Sequence, residues 1–343
     1  MTKAPERVRL DISTHCQLNC AWCALRKSPD LNGRTRGFLS AEKFREFLDK
    51  HPFAKRIEIS NQGEVFLNPE IAEIFRIAHE KKAVITIWNG TNFNTVSDDA
   101  MDAMFKYKVQ GMNVALDGAS QETYSKYRRG GDFDRVIENI RRFNKFKEKH
   151  TTKSVMLAHT PVWPWHVWTH KKVVPHTNIN WQYVVLPTNC DISEIRKAKA
   201  IAASLDVGMQ FLADRWKDFV PPNRREVEKE TGLSYKTVLP WNRRKHIRMR
   251  RLNTCAQLWK APQINWDGRF YGCACNIYKE FGGNVFEDGL EKCLGMKLFR
   301  DTQKMLCGGP VADRSPCLRC PFYHEMVRTG VYMTRKEIED SPC

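Results

Sequence analysis

THCQLNCAWCAL, residues Thr14 to Leu25, sets Cys16, Cys20 and Cys23 at a CxxxCxxC spacing just after an apolar run, Val8 to Ile12, that reads as a first strand. A loop at the C-terminal end of a first strand is where barrels and open α/β sheets place their chemistry. A structural zinc site closes with four ligands, and no fourth cysteine or histidine stands nearby downstream; His15 adjoins the triad from a neighbouring backbone position. Three thiolates around an iron-sulfur cluster leave one iron open, and an open iron can bind and activate a small molecule. The plainer reading, three core cysteines beside Trp22, conflicts with how seldom cysteines cluster in a reducing compartment.

The rest of the composition agrees with a metalloprotein. The chain has 343 residues, enough for one large and one small domain, and 12 cysteines. No run approaches the length needed to span a bilayer, and MTKAPERVRLD lacks the apolar centre of a signal peptide, so the expected compartment is the cytoplasm. Cysteine clusters there hold metal more often than they form disulfides. The formal charge of +17 attracts anionic partners without choosing among them, and anionic iron-sulfur centres would offset part of it.

From Val8 to about Leu212 strand-like runs alternate with amphipathic helical runs, the pattern of β-α units with a parallel sheet. Strands are expected at Val8–Ile12, Ile57–Ser60, Val84–Trp88, Met112–Leu116, Ser154–His159 and Ile179–Leu186. Helices are expected to open at Ser40, at Asn68-Pro69-Glu70, at Ser97 with Asp98 and Asp99, and at Asp132. Six units suggest a barrel or most of one; an open doubly wound sheet predicts much the same string. Residues 213–254 read as a basic bridging segment holding Pro221, Pro222 and Pro240, and residues 255–343 as a small cysteine-rich domain.

The triad, with aromatic Trp22 just before its last cysteine, resembles the hallmark of the radical S-adenosylmethionine (SAM) superfamily. The resemblance implies an α/β fold, a partial (β/α)6 TIM-like barrel, with a SAM-binding 4Fe-4S cluster on Cys16, Cys20 and Cys23 and a reducing electron donor such as flavodoxin or ferredoxin. The open iron would chelate SAM, whose cleavage gives a 5'-deoxyadenosyl radical that abstracts a substrate hydrogen. SNQGEVFLNPE looks like the family's GGE-type segment with Gln62 in place of the first glycine, which assigns Gly63 and Glu64 to the SAM amino group. WNGTN looks like its TNG segment and puts Asn89 and Thr91 near the nucleoside. ALDGASQETYSKYRRGGDF resembles the SLDG segment with Ala115 for the usual Ser; Asp117 falls in it, and Arg128, with Arg129 as rival, is the candidate for the SAM carboxylate. Taken singly, each of these polar residues reads equally well as a turn or a cap.

In CAQLWKAPQINWDGRFYGC, Asp267-Gly268 between two apolar runs predicts a two-residue hairpin that sets Cys273 at the end of its second strand. With Cys255 before it and Cys317 and Cys320 beyond, four thiolates can close around a cluster or a zinc ion. The pattern resembles the SPASM and twitch extensions of radical SAM enzymes. Met326 stands where the fuller pattern has another cysteine, which favours the shorter, α+β twitch-like domain with one auxiliary 4Fe-4S cluster on Cys255, Cys273, Cys317 and Cys320. Cys190, Cys275, Cys293, Cys307 and Cys343 stay unassigned, with buried free thiols as the plain reading.

Trp163, Trp165, Trp168, His166 and His170 could line a substrate, although packing is the ordinary use of tryptophan. Arg243, Arg244, Lys245, Arg248, Arg250 and Arg251 could grip phosphate or an acidic leader peptide, although charge runs are usually solvated. No RNA-binding signature accompanies them. The expectation is a radical SAM oxidoreductase modifying a sugar, an aminocyclitol or a peptide. The few residues before Cys16 leave no room for a peptide-recognition domain, which favours the small substrate. A basic zinc or iron-sulfur protein that binds nucleic acid without catalysis is the rival.

Overall fold

A computed structural model of the chain describes residues 4–23, 25, 36–150, 177–213, 219–235, 255–274 and 279–341. It forms two compact units: residues 1–15, 28–86 and 248–343 make the first, residues 16–27 and 87–247 the second.

In the first unit, strand β1 (Arg7–Leu10) pairs in parallel with β2 (Arg56–Glu58), and β2 with the start of β3 (Val84–Thr91), in the register Val8 to Ile57 to Ile85. Val8, Leu10, Ile57 and Ile85 are buried, so the sheet carries the apolar load. Helix α1 (Ala41–Lys50) starts where Ser40 accepts from the Lys43 amide, and its Phe44, Phe47 and Leu48 form the buried stripe. Helix α2 (Ile71–Glu80) is entered differently than expected: Glu70 is the capping residue without a side-chain cap bond. Asn68 instead ties the entry, accepting from the Glu70 amide at 2.8 Å and donating to the carbonyls of Ile12 and Leu39.

The second unit holds the rest of β3, then α3 (Asp98–Lys106), β4 (Gly111–Ala115), α4 (Gln121–Tyr127), α5 (Phe133–His150), β5 (Asn178–Val185), α6 (Ile192–Ser204), β6 (Gly208–Ala213) and α7 (Arg224–Thr231). Ser97 caps α3, and Asp132 accepts from the Arg135 amide at the start of α5. Strands β4, β5 and β6 pair in parallel, with Asn113 opposite Asn180 and Gln182 opposite Gln210. Strand β6 was not among the expected strands, although Met209, Gln210 and Phe211 alternate as a strand should. The expected strand at 154–159, the tryptophan-histidine cluster of 163–170, the basic run of 243–251, Cys275 and Cys343 lie outside the described residues.

The hydrogen-bonded strand order is β6-β5-β4-β3-β2-β1-β7, with β7 at Gln263–Ile264. Sequence order runs through β1 to β6 without the reversal that a doubly wound sheet requires. That decides for the partial-barrel winding.

After β7 the chain turns at a hairpin with one more loop residue than expected. Gly268 donates to the Asn265 carbonyl at 2.9 Å and Asn265 to the Arg269 carbonyl at 3.0 Å, leaving Trp266, Asp267 and Gly268 as a three-residue loop. Gly268 holds φ +86° as its left-handed residue, the geometry of a turn followed by a bulge. The remaining elements are short helices: α8 (Gln257–Lys260), α9 (Val285–Asp288), α10 (Leu290–Gly295), α11 (Lys297–Leu306), α12 (Pro321–Thr329) and α13 (Arg335–Asp340). Among the described residues no helix is long and apolar enough to cross a membrane.

Candidate active site

In the second unit the triad loop is laced to the turn after α4. The Asn19 amide donates to the Arg129 carbonyl at 2.8 Å, the Ala21 amide to the Tyr127 carbonyl at 3.0 Å, and the rings of Trp22 and Tyr127 lie 5.3 Å apart. Cys20 is buried, while Cys16 and Cys23 are partly exposed.

Two of the three sulfurs receive nitrogen donors. Arg128 Nη1 lies 3.9 Å from Cys20 Sγ, and Asn92 Nδ2 lies 3.7 Å from Cys16 Sγ. Arg128 also donates through Nε to the fully buried Asp117 at 2.7 Å. Asp117 in turn accepts from the Val184 amide at 2.7 Å, which anchors it to β5. Burial alone would lower the Arg128 pKa; the Asp117 carboxylate and the Cys20 sulfur outweigh it and hold the guanidinium charged. For the Cys20 thiol the balance reverses: burial pushes it up, and Arg128 pulls against that rise. Burial likewise pushes Tyr124 and Tyr127 up to about 12, so both flank the loop as neutral phenols. Arg129, the rival to Arg128, is exposed, and its backbone carbonyl takes the Asn19 bond.

Asn89 and Thr91 stand on an irregularity of β3. Ile87 pairs with Met112 and Thr91 with Val114, so the segment between them bulges. Bulges redirect side chains and recur beside active sites. Gly90 makes this bulge possible: its φ is +107°, and a Cβ there would meet Gln182 Oε1 at 2.8 Å. Asn89 is exposed, and Thr91 is buried with its hydroxyl accepting from the Phe93 amide at 3.1 Å.

In the first unit Gly63 and Glu64 lie against the segment that follows β1. The Glu64 amide donates to the His15 carbonyl at 2.7 Å, and a Cβ on Gly63 would stand 2.5 Å from the Ser13 carbonyl oxygen at φ +70°. Only glycine fits there. The Glu64 carboxylate is buried and caps the short helical turn Val65–Leu67, accepting from the Phe66 amide. A second buried carboxylate, Asp11, accepts from the Gln62 amide and from Gln263 Nε2.

The four C-terminal cysteines also belong to the first unit. Cys255 donates its amide to Met333 Sδ, the Cys273 thiol donates to Gln257 Oε1 at 3.0 Å, and Cys317 and Cys320 share the turn Pro316–Arg319 and its end. Among the described residues no three His, Cys, Asp or Glu side chains converge as a ligand group. Cys293 fits the plain reading of an inert buried thiol, pushed up to about 11 by burial.

Residues 10–165 match the model of the Radical SAM superfamily. Residues 10–165 thus carry a radical SAM domain. The AdoMet-dependent heme synthase of Methanosarcina barkeri is 27% identical over 142 residues, 41% of this chain and 39% of its own length. The antilisterial bacteriocin subtilosin biosynthesis protein AlbA of Bacillus subtilis is 24% identical over 312 residues, 86% of this chain and 60% of its own. The chain thus spans less than two thirds of the length of these curated relatives. The fold of Streptococcus suis SuiB, solved with its precursor peptide SuiA, matches with a TM-score of 0.61 at 15% identity, covering 93% of this chain and 70% of SuiB.

The radical SAM match over residues 10–165 implies SAM and a 4Fe-4S cluster, and the triad loop fits that group by its donors. It offers three thiols on one short loop, two of them met by N–H groups that can support anionic sulfur. Sequence reasoning missed Asn92, although it sits at the end of the quoted WNGTN segment, directly after β3. It also missed Asp11, Gln17 and Tyr127, whose partners are remote in sequence.

Proposed function

We propose that this radical SAM protein reductively cleaves SAM and abstracts a hydrogen atom from a peptide substrate. The observation that carries the reading is the triad loop: three thiols tied down by Asn19, Ala21 and Trp22, with nitrogen donors on Cys16 and Cys20. In this reading Cys16, Cys20 and Cys23 hold the 4Fe-4S cluster, which when bound supplies the electron and the open iron for SAM cleavage. Glu64, a carboxylate at a strand end, meets the SAM amino group, and Gly63 lets the backbone approach. Asn89 and Thr91 serve the nucleoside side. Arg128 stands beside the cluster with Asp117 behind it; with Nε given to Asp117, the SAM carboxylate falls to its Nη groups. Cys255, Cys273, Cys317 and Cys320 hold one auxiliary 4Fe-4S cluster for electron return, and flavodoxin or ferredoxin supplies the first electron.

A peptide substrate is supported by the relatives that align with most of this chain, one named for bacteriocin biosynthesis and one solved with a precursor peptide. Anaerobic reconstitution with iron and sulfide counts, then dithionite and SAM, tests the first half. Release of 5'-deoxyadenosine, abolished by Cys20→Ala, is expected. Its absence from fully reconstituted protein, or a colourless zinc protein, would favour the non-catalytic rival. Mass spectrometry of peptides from cells with and without the protein tests the second half; an altered sugar or aminocyclitol with unaltered peptides would overturn the peptide assignment.

A further inference from the structure

The amide of Asn92 is held with more care than a surface turn needs. It is buried, and its Oδ1 accepts from the Asn94 amide at 3.0 Å and from Gln17 Nε2 at 2.9 Å. Those two donors fix which end of the side chain is oxygen, because a backbone N–H cannot be an acceptor. Nδ2 therefore faces Gln17 Oε1 at 3.3 Å and Cys16 Sγ at 3.7 Å. Gln17 is the residue after Cys16, so one amide pair secures both the sulfur and the backbone beside it. Arg128 does something similar for Cys20, but its charge is largely matched by Asp117 at 2.7 Å. The neutral Asn92 amide is thus a donor to ligand sulfur that carries no charge of its own.

We propose that Asn92 is a positioning residue that sets the reduction potential of the cluster on Cys16, Cys20 and Cys23, by donating an N–H to Cys16 sulfur. This rests on the proposed cluster site. An N–H directed at ligand sulfur stabilises the charge added on reduction and so raises the potential, the lever that hydrogen bonds and net charge exert on iron-sulfur centres. Removing it makes the cluster harder to reduce.

The test is an EPR-monitored redox titration of the full-length, anaerobically reconstituted protein without substrate. Asn92→Asp keeps both acceptor bonds but replaces the donor with an anion; it is expected to shift the one-electron reduction equilibrium at least tenfold toward the oxidised cluster, about 59 mV. Asn92→Ser retains an acceptor for Asn94 but is too short to reach Cys16, and is expected to shift it less in the same direction. It carries the test if the aspartate variant fails to fold. Thr95→Val is the control for loop packing, since Thr95 accepts from Gln17 Nε2 at 3.1 Å without touching sulfur; no shift is expected. An unchanged potential in Asn92→Ser, or an equal shift in Thr95→Val, would overturn the inference while leaving the cluster site standing. A wild-type protein that binds no cluster would overturn both.

Discussion

Replacing Asp117 by asparagine probes the pair on which the triad loop leans. Asp117 is fully buried and Arg128 keeps 17% of its side chain exposed, so the guanidinium has little water to fall back on when the carboxylate is gone. The new amide can still accept from the Val184 amide through Oδ1, as Asp117 does at 2.7 Å. Its NH2 then points at Arg128 Nε–H, donor against donor, where a 2.7 Å charged bond stood. Breaking a buried pair from one side costs about 3–5 kcal/mol, and the residual exposure of Arg128 places the expectation near ~3 kcal/mol. At a urea slope of about 3 kcal/mol/M this moves the midpoint down by roughly 1 M. Anaerobic urea unfolding of the apoprotein, followed by Trp fluorescence and circular dichroism together, measures it. Arg128→Met alone is expected to cost a similar amount, because Asp117 is then the stranded charge. The double variant should cost clearly less than the sum, since neither charge remains. A midpoint within about 0.2 M of wild type for Asp117→Asn, or strict additivity in the cycle, would refute the claim that this pair organises the site.

Three further outcomes follow from single positions. Gly63→Ala puts a methyl 2.5 Å from the Ser13 carbonyl in a left-handed residue, which costs about 2–4 kcal/mol or displaces the loop; loss of SAM binding by calorimetry is expected, and retained affinity with unchanged stability would count against the Gly63-Glu64 assignment. Gly90→Ala strains the β3 bulge at φ +107°, at about 1–2 kcal/mol, and a variant as stable as wild type would show that the bulge relaxes freely. His51, buried between Phe47 and Phe53, accepts the Leu290 amide on Nε2, and burial lowers its pKa below 6.5, with Glu291 opposing. The unfolded chain therefore takes up the proton first, so stability is full above pH 6.5 and falls as pH drops toward the folded value. Urea midpoints between pH 7.5 and 5.5 should show this slope, His51→Gln should flatten it, and an equal slope in both would sink the assignment.

Much of the scaffold was legible because it depends on local chemistry. Ser40, Ser97 and Asp132 could be read as helix starts from their own side chains, and each one accepts the backbone N–H expected of a cap. Parallel strands reveal themselves as short apolar runs, which is why Ile57, Val84 and Met112 could be placed. Periodicity left the winding open, since it is the same for a barrel and a doubly wound sheet; the resemblance carried by the triad implied the partial barrel, and the order of pairing agrees with it. The hairpin was misjudged by one residue because Asp267-Gly268 suits two loop types, and contacts from Asn284 to the Asp267 carbonyl select the longer one. The donors at the candidate site were legible only in part. Arg128 came with a motif, whereas Asn92 meets Cys16 across 76 positions, a distance no spacing rule covers.

Strand β1 has Gln263 and Ile264 as its second neighbour, paired with Arg9 and Leu10. During synthesis that partner emerges some 250 residues after β1, roughly 13–50 s later at ordinary ribosomal speeds. For that interval β1 has a bare hydrogen-bonding edge, the kind that recruits stray strands. Truncations ending before residue 263 would make the exposure permanent, so shortened versions of this protein should aggregate from their amino-terminal strand even with every cysteine of the triad in place.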